Sequence, residues 1–189
     1  MKSPQQKPVR DSDILKRKKG LILVYTGDGK GKTTAALGAA FRALGWNSKV
    51  AMIQFIKGNW KYGEMESAKQ FSDFELIQCG EGFTWDTQNR ARDIELVEAG
   101  WKICEEKILS GKYDLLIFDE INYVIDYDYL KVERVIQALQ KKPKNLHIIL
   151  TGRNAKPELI AASDLVTEMK EVKHPFRDQQ IPAQKGIDF

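Results

Sequence analysis

The stretch "YTGDGKGKTT", Tyr25 to Thr34, joins an apolar β-rich run, "GLILVYT" (20–26), to an alanine-rich run, "KTTAALGAAFRALG" (32–45). A strand that turns through glycines into a helix is the setting of a phosphate-binding loop. Its backbone N–H groups converge on phosphate oxygens, and the helix N-terminus adds a partial positive charge. The usual spacing is a glycine, four residues, then Gly-Lys-Ser/Thr. Here Gly31-Lys32-Thr33 supplies the ending, but Thr26 stands where the first glycine belongs. Gly27 comes one place late, so the loop is short by one residue. The roles still assign themselves by residue type. Gly27, Asp28, Gly29, Lys30, Gly31 and Thr34 surround the phosphates of ATP, Lys32 bridges them, and the Thr33 hydroxyl binds Mg²⁺. Lys30 adds a second positive charge inside the loop.

Outward from this loop the chain alternates strand and helix. "KVAMIQFI" reads as a second strand, "KGNWKYGEME" as a loop and "FELIQC" (74–79) as a third strand. A long helix opens near Asp86 as N-cap, with Ile94, Val97, Trp101, Cys104 and Ile108 as its apolar stripe, and Gly111 stops it. "YDLLIFDE" is a buried strand. Val132, Val135, Ile136 and Leu139 mark an amphipathic helix finished before Pro143. "LHIILTG" and "DLVTEM" are two more strands, with a short helix from about Pro157 between them. "HPFRDQQIPAQKGIDF" reads as an irregular polar tail. Strands that are apolar throughout and alternate with helices predict an α/β fold: a mostly parallel central sheet with helices on both faces.

At 189 residues the chain suits one domain, expected over 20–189. Residues 1–19 hold seven Lys/Arg against Asp11 and Asp13, a net +5, so the remainder sums to about −1. That describes a basic arm and not a basic face. The arm is a solvated terminus, a contact for nucleic acid or anionic lipid, or a lid over an anionic ligand. No run approaches the roughly 18 apolar residues of a membrane span, and the start has no apolar signal core. Cys79 and Cys104 are far apart and outside any metal spacing, which suits a cytoplasmic protein.

In an open α/β sheet, ligands sit beyond the carboxyl ends of the strands. Asp119 and Glu120 end the "LLIFDE" strand there, where a carboxylate reaches Mg²⁺ directly or through water. Asp119 is the usual outer holder; the more forward Glu120 ligates metal or orients a nucleophile. Two such acids can also serve only as helix caps. Arg42, within the otherwise apolar first helix, reaches the nucleotide or points to water, and Arg153 in "TGR" has a similar claim. Phe83 and Trp85 in "GEGFTW" either plug the core or offer a flat platform to a ring. His147 reads as a satisfied core residue and His174 as structural, so no histidine stands as a general base.

In these blocks ("TGDGKGKTTAALG", "GEGFTW", "DEINY", "TGR" and "HPFRDQQIPAQKGIDF", in that order) the chain resembles the P-loop ATP:corrinoid adenosyltransferases from about residue 20 to its end. The short loop is a trait of that family; Asp28 stands where the family commonly has Asn. The resemblance implies a RecA-like P-loop NTPase fold and a reaction at carbon, in which a corrinoid reduced to Co(I) attacks the 5′ carbon of ATP and triphosphate leaves. Such a nucleophile needs no protein base. The resemblance also implies that ATP lies reversed, with its γ-phosphate deep and its ribose toward the corrinoid. It makes Lys32, Phe83 and Trp85 the catalytic residues, the two aromatics lying under the corrin ring and excluding its lower axial ligand. A flavoprotein reductant and a homodimer are expected by the same likeness; nucleic acid and membrane are not expected partners. Two rival readings share the loop: an ATPase coupled to nucleic acid through the basic arm, and a kinase transferring the γ-phosphate.

Overall fold

The computed structural model describes residues 19–57, 61–80 and 89–189. Within them the chain runs β1 (Ile22–Thr26), α1 (Lys32–Leu44), β2 (Val50–Phe55), α2 (Gly63–Ala68), β3 (Phe74–Cys79) and α3 (Arg90–Leu109). It continues through β4 (Leu115–Asp119), α4 (Ile121–Asp126), α5 (Val132–Gln140), β5 (His147–Thr151), α6 (Pro157–Ala161), β6 (Leu165–Glu168) and α7 (Pro175–Gln179). The strands form one six-stranded sheet in the order β3-β2-β4-β5-β1-β6. Every pairing is parallel, so all the strands' carboxyl ends open on one edge.

The period of two along each strand sorts the core into two layers. Ala51, Ile53 and Phe55 of β2, Leu116 and Phe118 of β4, and Ile148 and Leu150 of β5 face one side. There they meet Val97, Trp101, Cys104 and Ile108 of α3, Ile121 and Val124 of α4, Val135 and Leu139 of α5, and Leu159 of α6. The alternate residues Val50, Met52, Leu115, Ile117 and Ile149 face α1, which presents Ala36 and Ala40 one turn apart. Alanine favours helix and its small side chain lets α1 lie close on the sheet. Trp101 is fully buried and meets Phe118 edge-on at 5.9 Å, so the α3 stripe holds the opposite face. Replacing such a ring with alanine costs roughly 3–5 kcal/mol.

The expected elements are present, with local differences. α2 begins inside the stretch expected to be a loop, and α4 was not foreseen. The tail is not wholly irregular: α7 forms at Pro175 because the His174 ring accepts from Phe176 N–H while Asp178 accepts from His174 N–H. This reciprocal cap satisfies donors at a helix start that composition alone reads as polar loop. α3 is capped by Asn89, whose side chain accepts from Arg92 N–H; Asp86, the cap expected from sequence, lies outside the described residues. β6 pairs only with β1, and all four of its residues are exposed, so the cover on both faces does not extend to that edge.

Candidate active site

The same alternation that fills the α1 layer delivers polar groups at its end. Gln54 follows Met52 by two residues, Asp119 follows Ile117, and Thr151 follows Ile149. Gln54 pairs in register with Asp119, and Phe118 with Leu150, which sets Thr151 beside Asp119 on the other side. Three neighbouring strands thus end in a polar row under the start of α1.

Asp119 is fully buried at the centre of that row. Its Oδ1 accepts from the Thr33 hydroxyl at 2.8 Å and the Thr151 hydroxyl at 2.6 Å. Its Oδ2 accepts from the Gln54 amide at 3.2 Å and lies 3.2 Å from the Lys57 ammonium. A carboxylate offers about four lone-pair sites, and all four are taken. Lys57 also binds Glu64 of α2 at 2.9 Å. Burial alone would lower the Lys57 pKa, but Asp119 and Glu64 outweigh it and raise it above the ordinary lysine value.

Glu120 is treated in the opposite way. It sits at φ 62°, in the left-handed region, with its N–H fixed on the Thr151 hydroxyl at 2.9 Å. The residue is only partly covered, yet its Oε2 is shut off from solvent and has no partner among the described residues. Burial, and next the neighbouring Asp119, push its pKa up to about 7.

The β1–α1 loop closes the site from above. Gly27 has φ 95°, and a Cβ there would fall 2.5 Å from the Met169 carbonyl, so only glycine fits against the segment after β6. Gly29 N–H donates to that same carbonyl at 2.7 Å. Lys32 is buried, and its ammonium donates to the Gly27 and Gly29 carbonyls at 2.7 Å each. Two of its three N–H donors brace the loop and one remains for a ligand. Burial lowers its pKa, and Arg153 adds to this against the opposing pull of Glu120. Lys30 is half-exposed and ion-paired with Asp188 of the C-terminal tail.

These groups line a cavity of about 990 Å³. Its polar end carries Asp28 to Thr34, Lys57, Glu64, Glu120 and Arg153; its apolar end carries Leu37, Phe41, Leu44, Phe71 and Phe74. A space of this size suits a nucleotide with room for part of a second substrate. Arg153 also faces Asp28, with its Nε 4.0 Å from the Asp28 carboxylate.

The structure therefore brings together Gly27, Asp28, Gly29, Lys30, Gly31, Lys32, Thr33, Thr34, Asp119, Glu120 and Arg153 at one edge of the sheet. Arg42 is exposed on α1 and is not among the cavity's lining residues. Phe83 and Trp85 lie outside the described residues. His147 is half-buried and its Nδ1 accepts from Leu21 N–H at 3.1 Å, the satisfied role expected of it. His174 caps α7 and also lines the cavity.

Sequence reasoning missed Gln54, Lys57, Glu64, Thr151 and Asp188. A signal for the first and fourth was present: a lone polar residue at the inward register of an otherwise apolar strand.

Comparison with known proteins agrees with this geometry. Residues 18–189 match the family described as "ATP:corrinoid adenosyltransferase BtuR/CobO/CobP". The corrinoid adenosyltransferase of a Sinorhizobium species is 44% identical over 194 residues, covering 100% of this chain and 90% of that protein. The one from Pseudomonas aeruginosa is 41% identical, covering 98% and 92%, and the one from Escherichia coli K12 is 41% identical, covering 90% and 86%. A glycine loop braced by its own lysine, a buried acid bound to the threonine after it, and likeness along nearly the whole length place this chain in the ATP:corrinoid adenosyltransferase family.

Proposed function

We propose that this protein transfers the 5′-deoxyadenosyl group of ATP to the Co(I) centre of a corrinoid and releases triphosphate. The electron pair of Co(I) forms the new bond to the ribose 5′ carbon. The C5′–O bond breaks and its pair leaves with the triphosphate, so no protein base is needed. The work of the protein is to bind and stabilise the leaving group. Lys32, with one N–H free of the loop carbonyls, and Lys30 are the cations at the start of α1 and in the β1–α1 loop, and Arg153 faces them from the segment after β5. On this reading the loop is a shortened P-loop and the sheet is RecA-like. The family likeness supports ATP in the reversed sense, Phe83 and Trp85 beneath the corrin ring, a flavoprotein electron donor, a homodimer and a cytoplasmic setting. No described helix is long and apolar enough to cross a membrane.

The residues present fit Mg²⁺. Among the described residues no cluster of three His, Cys, Asp or Glu side chains could hold a metal ion. Mg²⁺ is commonly held through one or two protein oxygens, with phosphates and waters completing its shell. The Thr33 hydroxyl gives its proton to Asp119, which leaves its lone pairs for a cation. The acceptor sites of Asp119 are filled, whereas Glu120 keeps an unpartnered oxygen. Thr33 and Glu120 would thus hold the ion directly, with Asp119 fixing Thr33 from behind. Mg²⁺ held there would supply positive charge to the departing triphosphate.

The observation that carries this reading is the Thr33–Asp119 hydrogen bond set beside the unpartnered oxygen of Glu120. Anaerobic incubation with MgATP and chemically reduced corrinoid tests it. The expected outcome is the light-sensitive alkylcobalt spectrum with equimolar inorganic triphosphate. ADP and phosphate with an unchanged corrinoid would sink it in favour of an ATPase.

A further inference from the structure

Lys30 is the loop cation whose charge is committed to a distant part of the chain. Its partner Asp188 belongs to a C-terminal turn that is knit internally. Asp188 Oδ2 accepts from Gln184 N–H at 2.8 Å, Asp188 N–H donates to the Gln184 carbonyl at 2.8 Å, and Gly186 N–H donates to the Phe189 carbonyl at 2.7 Å. The turn docks on the β1–α1 loop through the Lys30–Asp188 ion pair. Its far end comes to α2: a Cβ on Gly63 would lie 3.9 Å from the Phe189 carbonyl. Gly186 to Phe189 form a wall of the same cavity as the loop, and that wall spans from the loop to α2. The ion pair holds the Asp188 carboxyl below the usual aspartate value, through the Lys30 hydrogen bond first.

A triphosphate on the loop brings several negative charges to within reach of the ammonium that Asp188 holds. Asp188 and a phosphate oxygen then compete for one cation, and the carboxylate is repelled by the phosphates as well. We propose that Asp188 is a positioning residue for Lys30: it competes with the triphosphate for the Lys30 ammonium, so that nucleotide occupancy undocks the C-terminal wall and triphosphate release redocks it. This rests on the reading of the loop as a triphosphate site. The pair is half-exposed on the lysine side, so the competition is modest in strength and reversible, as product release requires.

The test uses the full chain with inorganic triphosphate and with MgATP as probes. Asp188→Asn should bind triphosphate about three- to fivefold more tightly than wild type, the upper part of the range that surface ion pairs span, as suits a pair covered on its carboxylate side. Its KM for ATP should fall by more than its kcat changes. In the Lys30→Met background the same substitution should change triphosphate affinity by less than about twofold, roughly the limit of additivity for an uncoupled pair. An independent readout is tryptic cleavage after Lys185 in wild type, expected to speed up when triphosphate is added. Unchanged affinity in Asp188→Asn, or cleavage after Lys185 at the same rate with and without triphosphate, overturns the inference and leaves the loop assignment standing. Wild type that binds neither probe overturns both.

Discussion

The strand-end wall of the cavity and its C-terminal wall face each other across one loop, yet they are held by different means. On the strand side, Asp119 takes four contacts, one each from α1, β2, β5 and Lys57, at no exposure to solvent. Lys32 belongs to this side, buried and braced on two carbonyls of its own loop. On the tail side, a turn closed by its own hydrogen bonds docks on the loop through the Lys30–Asp188 pair. Fixed dipoles and charges stabilise a transition state because they need no reorganisation when charge develops. A wall held by one ion pair, half-exposed on its lysine side, separates at small cost. The difference teaches that electrostatic work and substrate passage are divided between the two sides of one loop, and that Lys32 and Lys30, two residues apart, serve different sides.

The largest effect that would test this division is on stability. Asp119→Ala leaves the Lys57 ammonium, the Gln54 amide and two hydroxyls without their shared acceptor. A loss of about 3–5 kcal/mol is expected from chemical denaturation, the cost of stripping one partner from a buried charge. Asp119→Asn, which keeps an oxygen for Thr33 and Thr151 but turns an N–H₂ toward Gln54 and Lys57, should lose less. A loss under about 1 kcal/mol for the alanine variant would mean the strand wall is not the rigid one. Next in size, Lys32→Met should lower kcat/KM about 10²- to 10³-fold, as removing one preorganised donor does. Lys30→Met should cost about tenfold or less, in keeping with an exposed cation. Equal losses for the two would break the comparison.

How far the sequence disclosed this arrangement follows from where each constraint lies. The β1–α1 loop and the two acids of "LLIFDE" are local patterns, so Lys32, Thr33, Asp119 and Glu120 were readable from spacing and from the turn of strand into helix. Trp101 was readable because a helical stripe encodes its own burial. Gln54 and Thr151 join the site through register between β2, β4 and β5, which no local window contains. Their trace was a polar residue in the inward phase of an apolar strand, a trace also left by ordinary strand ends, and Lys57, past the end of β2, left none. Asp188 is 158 residues from Lys30, and its role depends on the path of the tail. α7 was hidden because a histidine cap and a proline look like loop until the reciprocal hydrogen bonds are seen. Glu120 was readable as an acid at a strand end, but its difference from Asp119 was not. That difference comes from one left-handed turn that lifts it out of the row.

Glu120 gives the last of the expected effects, and the one with a defined pH course. Its carboxyl has an ordinary value of 4.5 and is pushed up to about 7 in the folded protein, by burial first and then by Asp119. Between those two values the native state holds a proton that the unfolded chain has already released. Stability therefore falls as pH rises from about 4.5 to 7, and the penalty is complete and constant above that. Glu120→Gln cannot ionise and escapes the penalty. The stability of the variant relative to wild type should grow through this window by about 1–3 kcal/mol and then level off, measured by urea denaturation of the metal-free proteins at a series of pH values. A flat difference, or one that shrinks as pH rises, would mean that Glu120 is as well satisfied as Asp119, and the two acids would then share one role. The expected slope instead marks Glu120 as the site's unspent acceptor: its ionisation weakens the fold by itself and is offset only when a cation or donor meets its free oxygen.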